Sequence, residues 1–374
     1  MALQQQAQEL RTRSGYNPSE TIRAFEASLL QRGTVATGQA LHFAADAACS
    51  GATEIVIKSL WSYAVSHIGI ASPRVFVYLR KRCDELESLL KRLPDEQAYL
   101  TEEFQIRLGE MILVLREAPA RTILSWPKVG PETHAPHWLG TLSAAPQTDV
   151  LLRVWRPEGD RTVLRSAGAE LCKAIGDGST EKALFWVRWL LEEEAHQKKQ
   201  EKGTTMPLTT LERGPTSLPS KQRSGVGFFL LALYAETYKE FAAKGLVRMH
   251  EEFQCLLDMW RSGDKRLQGG SRKQVLTILT QILCEVPRWK VPAAPPLIQD
   301  QISMKRAILQ VPTFFREVIA YDPPRGGPAL LKAFQKRGAV EKKVVKGDKS
   351  VKGEKALQQM NAYEKAIEDY FGGL

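Results

Sequence analysis

One stretch of the sequence, EKALFWVRWLLEEEAHQKKQ at residues 181–200, limits the folds open to this chain more than any other. Eight of its first eleven residues are apolar, and at helical spacing they cover almost the whole circumference. A helix that is apolar on all sides has to lie at the centre of a fold, packed on several neighbours. We therefore predict that Trp186 and Trp189 are structural core residues; the alternative is an exposed platform for base stacking or a partner. Arg188, the one charged residue inside the apolar run, is expected to reach an acidic side chain or the surface.

Helical periodicity also dominates the rest of the chain. Asn17-Pro18-Ser19-Glu20 has the pattern of a helix N-terminus, with a capping side chain, a proline at the first helical position and a glutamate three residues after the cap. Similar segments follow one another with short Gly or Pro breaks. The predicted fold class is all-α: an irregular multi-helix array or bundle with long Pro-rich loops and a basic C-terminal tail. Residues 150–165, VLLRVWRPEGDRTVLR, fit either helices or a β-hairpin across PEGD, and the sequence leaves both open.

Two stretches interrupt the helical pattern. Residues 126–149 contain four prolines and are predicted to form a long surface loop. Residues 204–226 are rich in Thr, Ser, Pro and Gly and are predicted to be a flexible linker or loop that orders only in an assembly. These breaks predict an N-terminal helical domain at 1–203 (including the loop 126–149), the linker 204–226, a C-terminal helical domain at 227–331, and a basic extension with a terminal helix at 332–374.

Composition excludes several classes of protein. The chain of 374 residues has 43% hydrophobic and 25% charged residues, which is typical of soluble globular proteins. Its first residues lack the apolar core of a signal peptide, and the longest apolar run, FFLLALYA at 228–235, is too short to span a membrane. The scattered cysteines form no CxxC pair, which argues against a zinc cluster or a disulfide framework and favours the cytosol or nucleus. The cysteines are Cys49, Cys83, Cys172, Cys255 and Cys284.

No motif nominates a catalytic centre. The GxxxxGK[ST], GxGxxG, HExxH and GxSxG patterns are absent. His134 and His137 lie close together in the Pro-rich loop, but no third ligand is visible, so no metal site is predicted. We therefore predict that the protein is not an enzyme and has no catalytic residue, no metal ligand and no cofactor.

The charge of the chain points to acidic partners. The formal net charge of +10 at pH 7 suits nucleic acid, an anionic membrane face or an acidic protein surface. Part of this charge lies in the sequence GGSRK at 269–273. Its glycines predict a plain loop more than a phosphate-binding site. Another part lies at 332–355, where nine basic and three acidic residues give a net charge of +6. The aromatic residues near the basic clusters look buried, so the pattern expected for stacking on single-stranded nucleic acid is weak.

The candidate partner-binding residues are of two kinds. The basic ones are Lys265, Arg266, Arg272, Lys273, Lys342, Lys343, Lys346, Lys349 and Lys352. The apolar ones share a face of the predicted terminal helix and are Tyr363, Ile367, Tyr370 and Phe371. That face offers an anchor with no evident use on DNA, so we expect the tail to hold a protein neighbour in preference to the genome.

Four blocks of sequence carry a resemblance to a known family. In chain order they are LHFAADAACSG (41–51), LWSYAVSHIGIASPRVFVYL (60–79), IRLGEMILVLREAPAR (106–121) and KALFWVRWLLEEE (182–194). Their order and spacing resemble a conserved α-helical family of nucleocytoplasmic large DNA viruses, over roughly the first 200 residues. The resemblance carries no enzymatic motif, so no catalytic residue is transferred. It implies a late viral protein and a structural component of the virion.

These observations lead to one expected function and one alternative. We expect a minor capsid (cementing) protein that stabilises capsomer contacts of a large icosahedral DNA virus, located in the virion and, during assembly, in the host cytoplasm or nucleus. Its expected partners are the major capsid protein and other minor capsid proteins. Contact with an internal viral membrane surface is a further alternative, and the oligomeric state is expected to be set by the assembly. The alternative is a basic nucleic-acid-binding accessory protein of viral replication or transcription.

Overall fold

The computed structural model describes residues 10–93, 95–121, 124–134, 148–200, 207–267, 270–288, 297–298, 300–323 and 327–335. Over these residues the predicted all-α class is confirmed, with thirteen helices of six residues or more and no strand. The helices are α1 (Pro18–Leu30), α2 (Thr34–Cys49), α3 (Thr53–Tyr63), α4 (Arg74–Arg92), α5 (Glu102–Glu117), α6 (Asp149–Val154), α7 (Thr162–Gly176), α8 (Thr180–Gln200), α9 (Val226–Ala243), α10 (His250–Ser262), α11 (Gly270–Glu285), α12 (Gln301–Ile319) and α13 (Gly327–Gln335). Shorter helical turns lie at Ala64–Ile68, Gly69–Ala71, Asp95–Ala98, Pro131–His134, Ser220–Arg223 and Val286–Arg288.

Several helix boundaries follow local capping chemistry. The side-chain oxygen of Asn17 accepts hydrogen bonds from the backbone N–H groups of Ser19 (3.0 Å) and Glu20 (3.4 Å), and Pro18 is the first helical residue. Thr101 caps α5 in the same manner. These side chains satisfy N–H groups that the first turn of a helix leaves without a partner. The helix start predicted at Asn17 is therefore confirmed.

Residues 150–165 form parts of two helices, and the β-hairpin alternative is wrong. The turn between α6 and α7 is closed by a hydrogen bond from the backbone N–H of Asp160 to the carbonyl of Arg156, 2.8 Å long. Leu151 in α6 and Leu164 in α7 are both fully buried. A helical face buries these leucines as well as a strand would, and the helices pack on each other.

The chain divides into two compact units, each built from separate stretches. Unit 1 consists of Met1–Ala64, Tyr78–Pro119 and Pro296–Leu374, and unit 2 consists of Val65–Val77 and Ala120–Pro295. The domains predicted at 1–203 and 227–331 follow the chain in order and so divide it differently. The physical reason is that α12 packs on α2 and α5, far back in the sequence. Breaks in composition mark loops but do not show which distant helices meet.

In unit 1, α2 is the central helix, and most of its residues from Ala36 onward are buried. It packs on α1 and α12 through a surface rich in alanine. Gly109 of α5 permits a close approach to α12, since a Cβ atom there would lie 2.4 Å from Cγ1 of Val311. Arg13 fastens the N-terminal segment by donating a 2.9 Å hydrogen bond to the carbonyl of Ile319 at the end of α12. Small residues at the contacts therefore set the spacing of these helices.

In unit 2, α8, α9 and α11 pack on one another. Trp189 of α8 is fully buried and Trp186 is 6% exposed. Tyr234 of α9 is also fully buried, and its hydroxyl lies 2.6 Å from Oγ1 of Thr280 on α11. Burial raises the pKa of Tyr234. The apolar circumference of α8 thus belongs to the core of unit 2.

Residues 207–226, the described part of the predicted linker, belong to unit 2 and include both buried and exposed positions. Leu208 and Thr209 are buried, and Thr209 forms an isolated antiparallel β-bridge with Asp160. Arg213 forms an ion pair with the buried carboxylate of Asp160. These contacts lie within unit 2, and the ordering of the segment only in an assembly stays a prediction. The composition predicts an irregular segment, but a buried acid elsewhere in the chain binds it in place.

Two predicted features lie largely outside the described residues. Of the loop 126–149, the structure describes 126–134, which forms no α-helix and ends in the short turn Pro131–His134, and 148–149, where α6 begins at Asp149. Of the basic extension it describes 332–335, which belong to α13, where Phe334 is fully buried. The extension therefore begins inside a packed helix. Separately, none of the described helices has the length and apolar character needed to cross a bilayer.

Candidate functional site

A groove on unit 2 brings two of the predicted basic residues together with two tryptophans. Its volume is about 330 Å³. We call it the Trp126–Trp260 groove, and its lining residues are Trp126, Arg188, Leu191, Glu192, Trp260, Arg272, Lys273 and Leu276. The loop before α6, the middle of α8, the end of α10 and the start of α11 therefore meet at this place.

Trp260 is held in position from two sides. Its indole Nε1–H donates a 3.2 Å hydrogen bond to the carbonyl of Arg272. Its ring lies against α9, where a Cβ atom on Gly227 would come within 2.4 Å of Cη2 of the indole. Phe228 packs on it edge to face, with ring centroids 5.5 Å apart. The glycine is therefore required for the tryptophan to pack this closely on α9.

Arg272 covers the ring of Trp260. The guanidinium carbon lies 4.3 Å from the ring centroid, and Nη2 donates a 2.9 Å hydrogen bond to the carbonyl of Trp260. Burial lowers the pKa of Arg272. A cation held over an indole is attracted by the negative face of the ring, which fixes the direction of the side chain.

Lys273 and Trp126 form the second pair of this kind. Nζ of the exposed Lys273 lies 4.3 Å from the ring centroid of Trp126. The indole Nε1–H of Trp126 donates a 2.6 Å hydrogen bond to Oγ1 of Thr277 on α11. Thr277 is one helical turn after Lys273, so one face of α11 holds both the tryptophan and the cation above it.

Arg188 has a different part in the groove, because its charge is already paired. Its Nε lies 2.6 Å from Oε1 of Glu192, one turn later in α8. Its Nη1 donates to the carbonyl of Pro127 at 2.9 Å. Arg188 therefore holds the loop that carries Trp126 against α8, and it reaches an acidic side chain as the sequence predicts.

The charge left in the groove belongs to Arg272 and Lys273. Neither has a carboxylate within 4 Å among the residues that the structure describes. Both lie in the first turn of α11, which contains no acidic residue. The N-terminal end of a helix carries partial positive charge, and an unmatched cation there is unfavourable by about 0.3–1 kcal/mol. Two adjacent cations on a helix N-terminus form a place where an anion is stabilised by both side chains and by the helix end.

The other predicted basic residues do not all join this groove. Arg266 is 8% exposed, and its Nη2 lies 2.7 Å from Oδ2 of Asp264, so its charge is used inside the chain. Lys265 is exposed and does not line the groove. The predicted tail residues lie outside the described residues: Lys342, Lys343, Lys346, Lys349, Lys352, Tyr363, Ile367, Tyr370 and Phe371.

His134, in the turn Pro131–His134, packs against side chains of α8. Its Nδ1 lies 2.6 Å from Oε2 of Glu193, and its ring stacks on Trp189 with centroids 5.5 Å apart. The ring of His196 also stacks on that of His134, with centroids 5.5 Å apart. His137 lies outside the described residues. Over the part of the chain that is described, no group of three His, Cys, Asp or Glu side chains has the arrangement of a metal site.

Sequence reasoning missed Trp126 and Trp260. They are far apart in the chain, and neither lies in a periodic basic–aromatic pattern. The expectation that the aromatic residues near the basic clusters are buried is wrong at this point, since both tryptophans are half-buried and face cations. The one local signal is that Trp260 lies nine residues before the sequence GGSRK at 269–273.

A second cavity, of about 410 Å³, lies in unit 1 and is lined by Arg32, Arg116, Asp300 and Ser303 among others. Arg116 is 3% exposed there. It donates hydrogen bonds to the carbonyl of Ser28, to the carbonyl of Gly33 and to Oγ1 of Thr37. Burial lowers the pKa of Arg116. These acceptors hold the turn between α1 and α2, so the guanidinium is a structural group.

Comparison with known proteins gives no relative. No protein-family model, no curated protein and no solved structure matches the chain.

Proposed function

We propose that this chain is a structural component of the virion, a minor capsid protein that cements capsomer contacts in a large icosahedral DNA virus. The proposal is supported by the resemblance of the four sequence blocks, which occupy parts of α2, α3, α4, α5 and α8. It assigns the protein a non-catalytic role. Its proposed partners are the major capsid protein and other minor capsid proteins.

The observation that carries the proposal is the Trp126–Trp260 groove. A cementing protein works by docking on its neighbours, and docking sites combine an apolar centre with a polar or charged rim. The groove has this composition: Leu191, Leu276 and the indole rings are apolar, and Arg272 and Lys273 supply charge without an acid of their own. Aromatic residues and arginine are also the residue types that contribute most to binding at protein interfaces.

Quantitative mass spectrometry of purified virus particles tests the proposal. We expect the protein in a fixed ratio to the major capsid protein across independent preparations, and retained when the particles are washed at high salt. An abundant protein in infected cells that is lost from washed particles would contradict the proposal. A known non-structural viral protein measured in the same samples is the control for carry-over.

A second candidate function is a nucleic-acid-binding accessory protein of viral replication or transcription. The observation that favours it is the pairing of Arg272 with Trp260 and of Lys273 with Trp126, since cations and indoles together bind single strands. Binding through phosphates weakens steeply with salt, by about tenfold or more over a fourfold rise when several contacts form. Salt-dependent binding of a single-stranded oligonucleotide that is lost in Arg272→Gln/Lys273→Gln would favour this function.

A further inference from the structure

We infer that the Trp126–Trp260 groove binds an acidic peptide segment of a partner protein, with one apolar side chain in the groove and carboxylates on Arg272 and Lys273. This inference rests on the proposed function, because it names the chemistry by which a neighbour in the particle is held. The two cations attract the carboxylates, and the apolar lining contacts the inserted side chain.

Charge complementarity selects an acidic partner. Arg272 and Lys273 are adjacent in the first turn of α11, and no acid of that turn balances them. The acid in the groove, Glu192, is paired with Arg188 at 2.6 Å. The free chain therefore holds two like charges beside a helix end of the same sign. A carboxylate placed there offsets this repulsion, whereas a neutral segment leaves it unchanged and a basic segment adds to it.

The lining of the groove selects an apolar side chain between those carboxylates. Leu191, which is half-buried, supplies the exposed aliphatic surface of the lining, and Leu276, 2% exposed, lies behind it as a closely packed lining residue. The volume of about 330 Å³ lies at the lower end of the range of ligand pockets, roughly 300–1,000 Å³. A groove of this size accepts a short peptide segment with one large side chain, not a folded surface.

The state of the indole rings favours a peptide over a nucleobase. The ring of Trp260 carries the guanidinium of Arg272 at 4.3 Å and is packed against Gly227 and Phe228. Stacking of a base needs an open ring face. Carboxylates need only the outer N–H groups of the two cations, and those of Lys273 are exposed. The arrangement therefore binds acids without displacing the cations from the rings.

Peptide selection on the full-length protein tests the inference. A displayed library of random twelve-residue peptides is passed over the immobilised protein, and the recovered peptides are measured by fluorescence anisotropy. We expect Asp and Glu flanking a Leu, Phe or Trp in the recovered set. We expect Arg272→Gln/Lys273→Gln to weaken their binding by about tenfold or more, as the loss of two charge contacts predicts.

A matched control removes the same charge elsewhere in unit 2. Lys173 and Lys182 are exposed and do not line the groove, so Lys173→Gln/Lys182→Gln is expected to change the affinity by less than about twofold. Because Arg272 also bonds to the carbonyl of Trp260, Lys273→Gln alone is measured as well. This exposed single variant must still weaken binding by several-fold.

Three results would overturn the inference. The first is a selection that yields no groove-dependent binder, and the second is a set of recovered peptides without an excess of acids. The third is a twelve-nucleotide thymidine strand that binds the wild type, loses affinity in the double variant and is not displaced by acidic peptides. That third result assigns the groove to nucleic acid.

The failure of this inference is distinct from the failure of the proposed function. Peptide selection needs no virus, and particle mass spectrometry does not depend on the groove. A protein present in washed particles that selects no acidic peptide rejects the groove assignment alone. A protein that binds acidic peptides through Arg272 and Lys273 but is absent from particles rejects the capsid function alone.

Discussion

The cavity of unit 1 and the Trp126–Trp260 groove of unit 2 both contain arginine, but they differ in how its charge is satisfied. Arg116 is buried and donates to two carbonyls and a hydroxyl of the turn it supports. Arg272 and Lys273 lie over indole rings, and neither has a carboxylate within 4 Å among the described residues. A cation buried among the acceptors of its own chain serves the fold, whereas a half-buried or exposed cation with no carboxylate within 4 Å among the described residues remains available to an acidic ligand.

The largest expected effect on the free energy of unfolding is that of removing the core tryptophan, and it should exceed the effect of removing a groove tryptophan. Trp189→Ala removes a fully buried indole and is expected to lower the free energy of unfolding by about 3–5 kcal/mol. Trp260→Ala removes a half-buried indole and is expected to cost less, about 1–2 kcal/mol. Denaturant unfolding measures both. Equal losses would mean that the groove is as much a part of the core as α8.

A pH-dependent effect is expected in unit 1. Burial lowers the pKa of His42 from 6.5 to about 4, so the folded state requires the neutral imidazole. The unfolded chain therefore takes up a proton first, and stability is lost as the pH falls from about 6.5 to about 4, by about 3 kcal/mol in total. The nearby Asp46, whose pKa is raised by burial, acts in the opposite sense, because its protonation favours the folded state.

The variant His42→Leu tests the origin of that slope. It should flatten the dependence of unfolding free energy on pH between 6.5 and 4, since leucine does not titrate. Acid unfolding profiles of the wild type and the variant give the comparison. The same slope in both proteins would show that another group is responsible.

The arginines of the two regions should differ when each is replaced by methionine. Arg116→Met leaves the buried carbonyl of Ser28 without its guanidinium donor and is expected to cost about 1–3 kcal/mol. Arg272→Met keeps apolar contact with Trp260 and is expected to cost less than about 1 kcal/mol. Chemical unfolding at neutral pH checks the pair. The reverse order would contradict the distinction between structural and available cations.

The smallest expected effect on stability is that of Lys273→Glu. The acid is favourable at the start of α11 by about 0.3–1 kcal/mol, but the loss of the contact with Trp126 costs about 0.5–1 kcal/mol. The net change is therefore within about 1 kcal/mol of zero. Lys182→Glu is the matched variant, since Lys182 lies in the first turn of α8 and has no contact with an aromatic ring among the described contacts. It should be slightly stabilising.

The sequence predicted the fold class well because local signals are strong in this chain. The cap at Asn17 and the apolar circumference of α8 depend only on neighbouring residues, and the structure contains both. The packing of 207–226 was missed because it depends on Arg213 meeting the buried Asp160, a contact with no local signature.

The candidate site was predictable only in part. Arg272 and Lys273 were selected from their charge and from the glycine turn before them. Their partners were not, because Trp126 and Trp260 meet these cations only after α8, α10 and α11 have packed. The ion pair between Arg266 and Asp264, two residues earlier, has no signature in the charge pattern that selects Arg266 as a candidate.

The affinity of Lys273→Glu for the selected acidic peptides, measured beside its unfolding free energy, tests most directly whether the groove cations serve a partner. We predict at least a tenfold loss of affinity, because an attraction becomes a repulsion, with an unfolding free energy within about 1 kcal/mol of the wild type. Unchanged affinity, or a loss of affinity accompanied by a large loss of stability, would contradict the account.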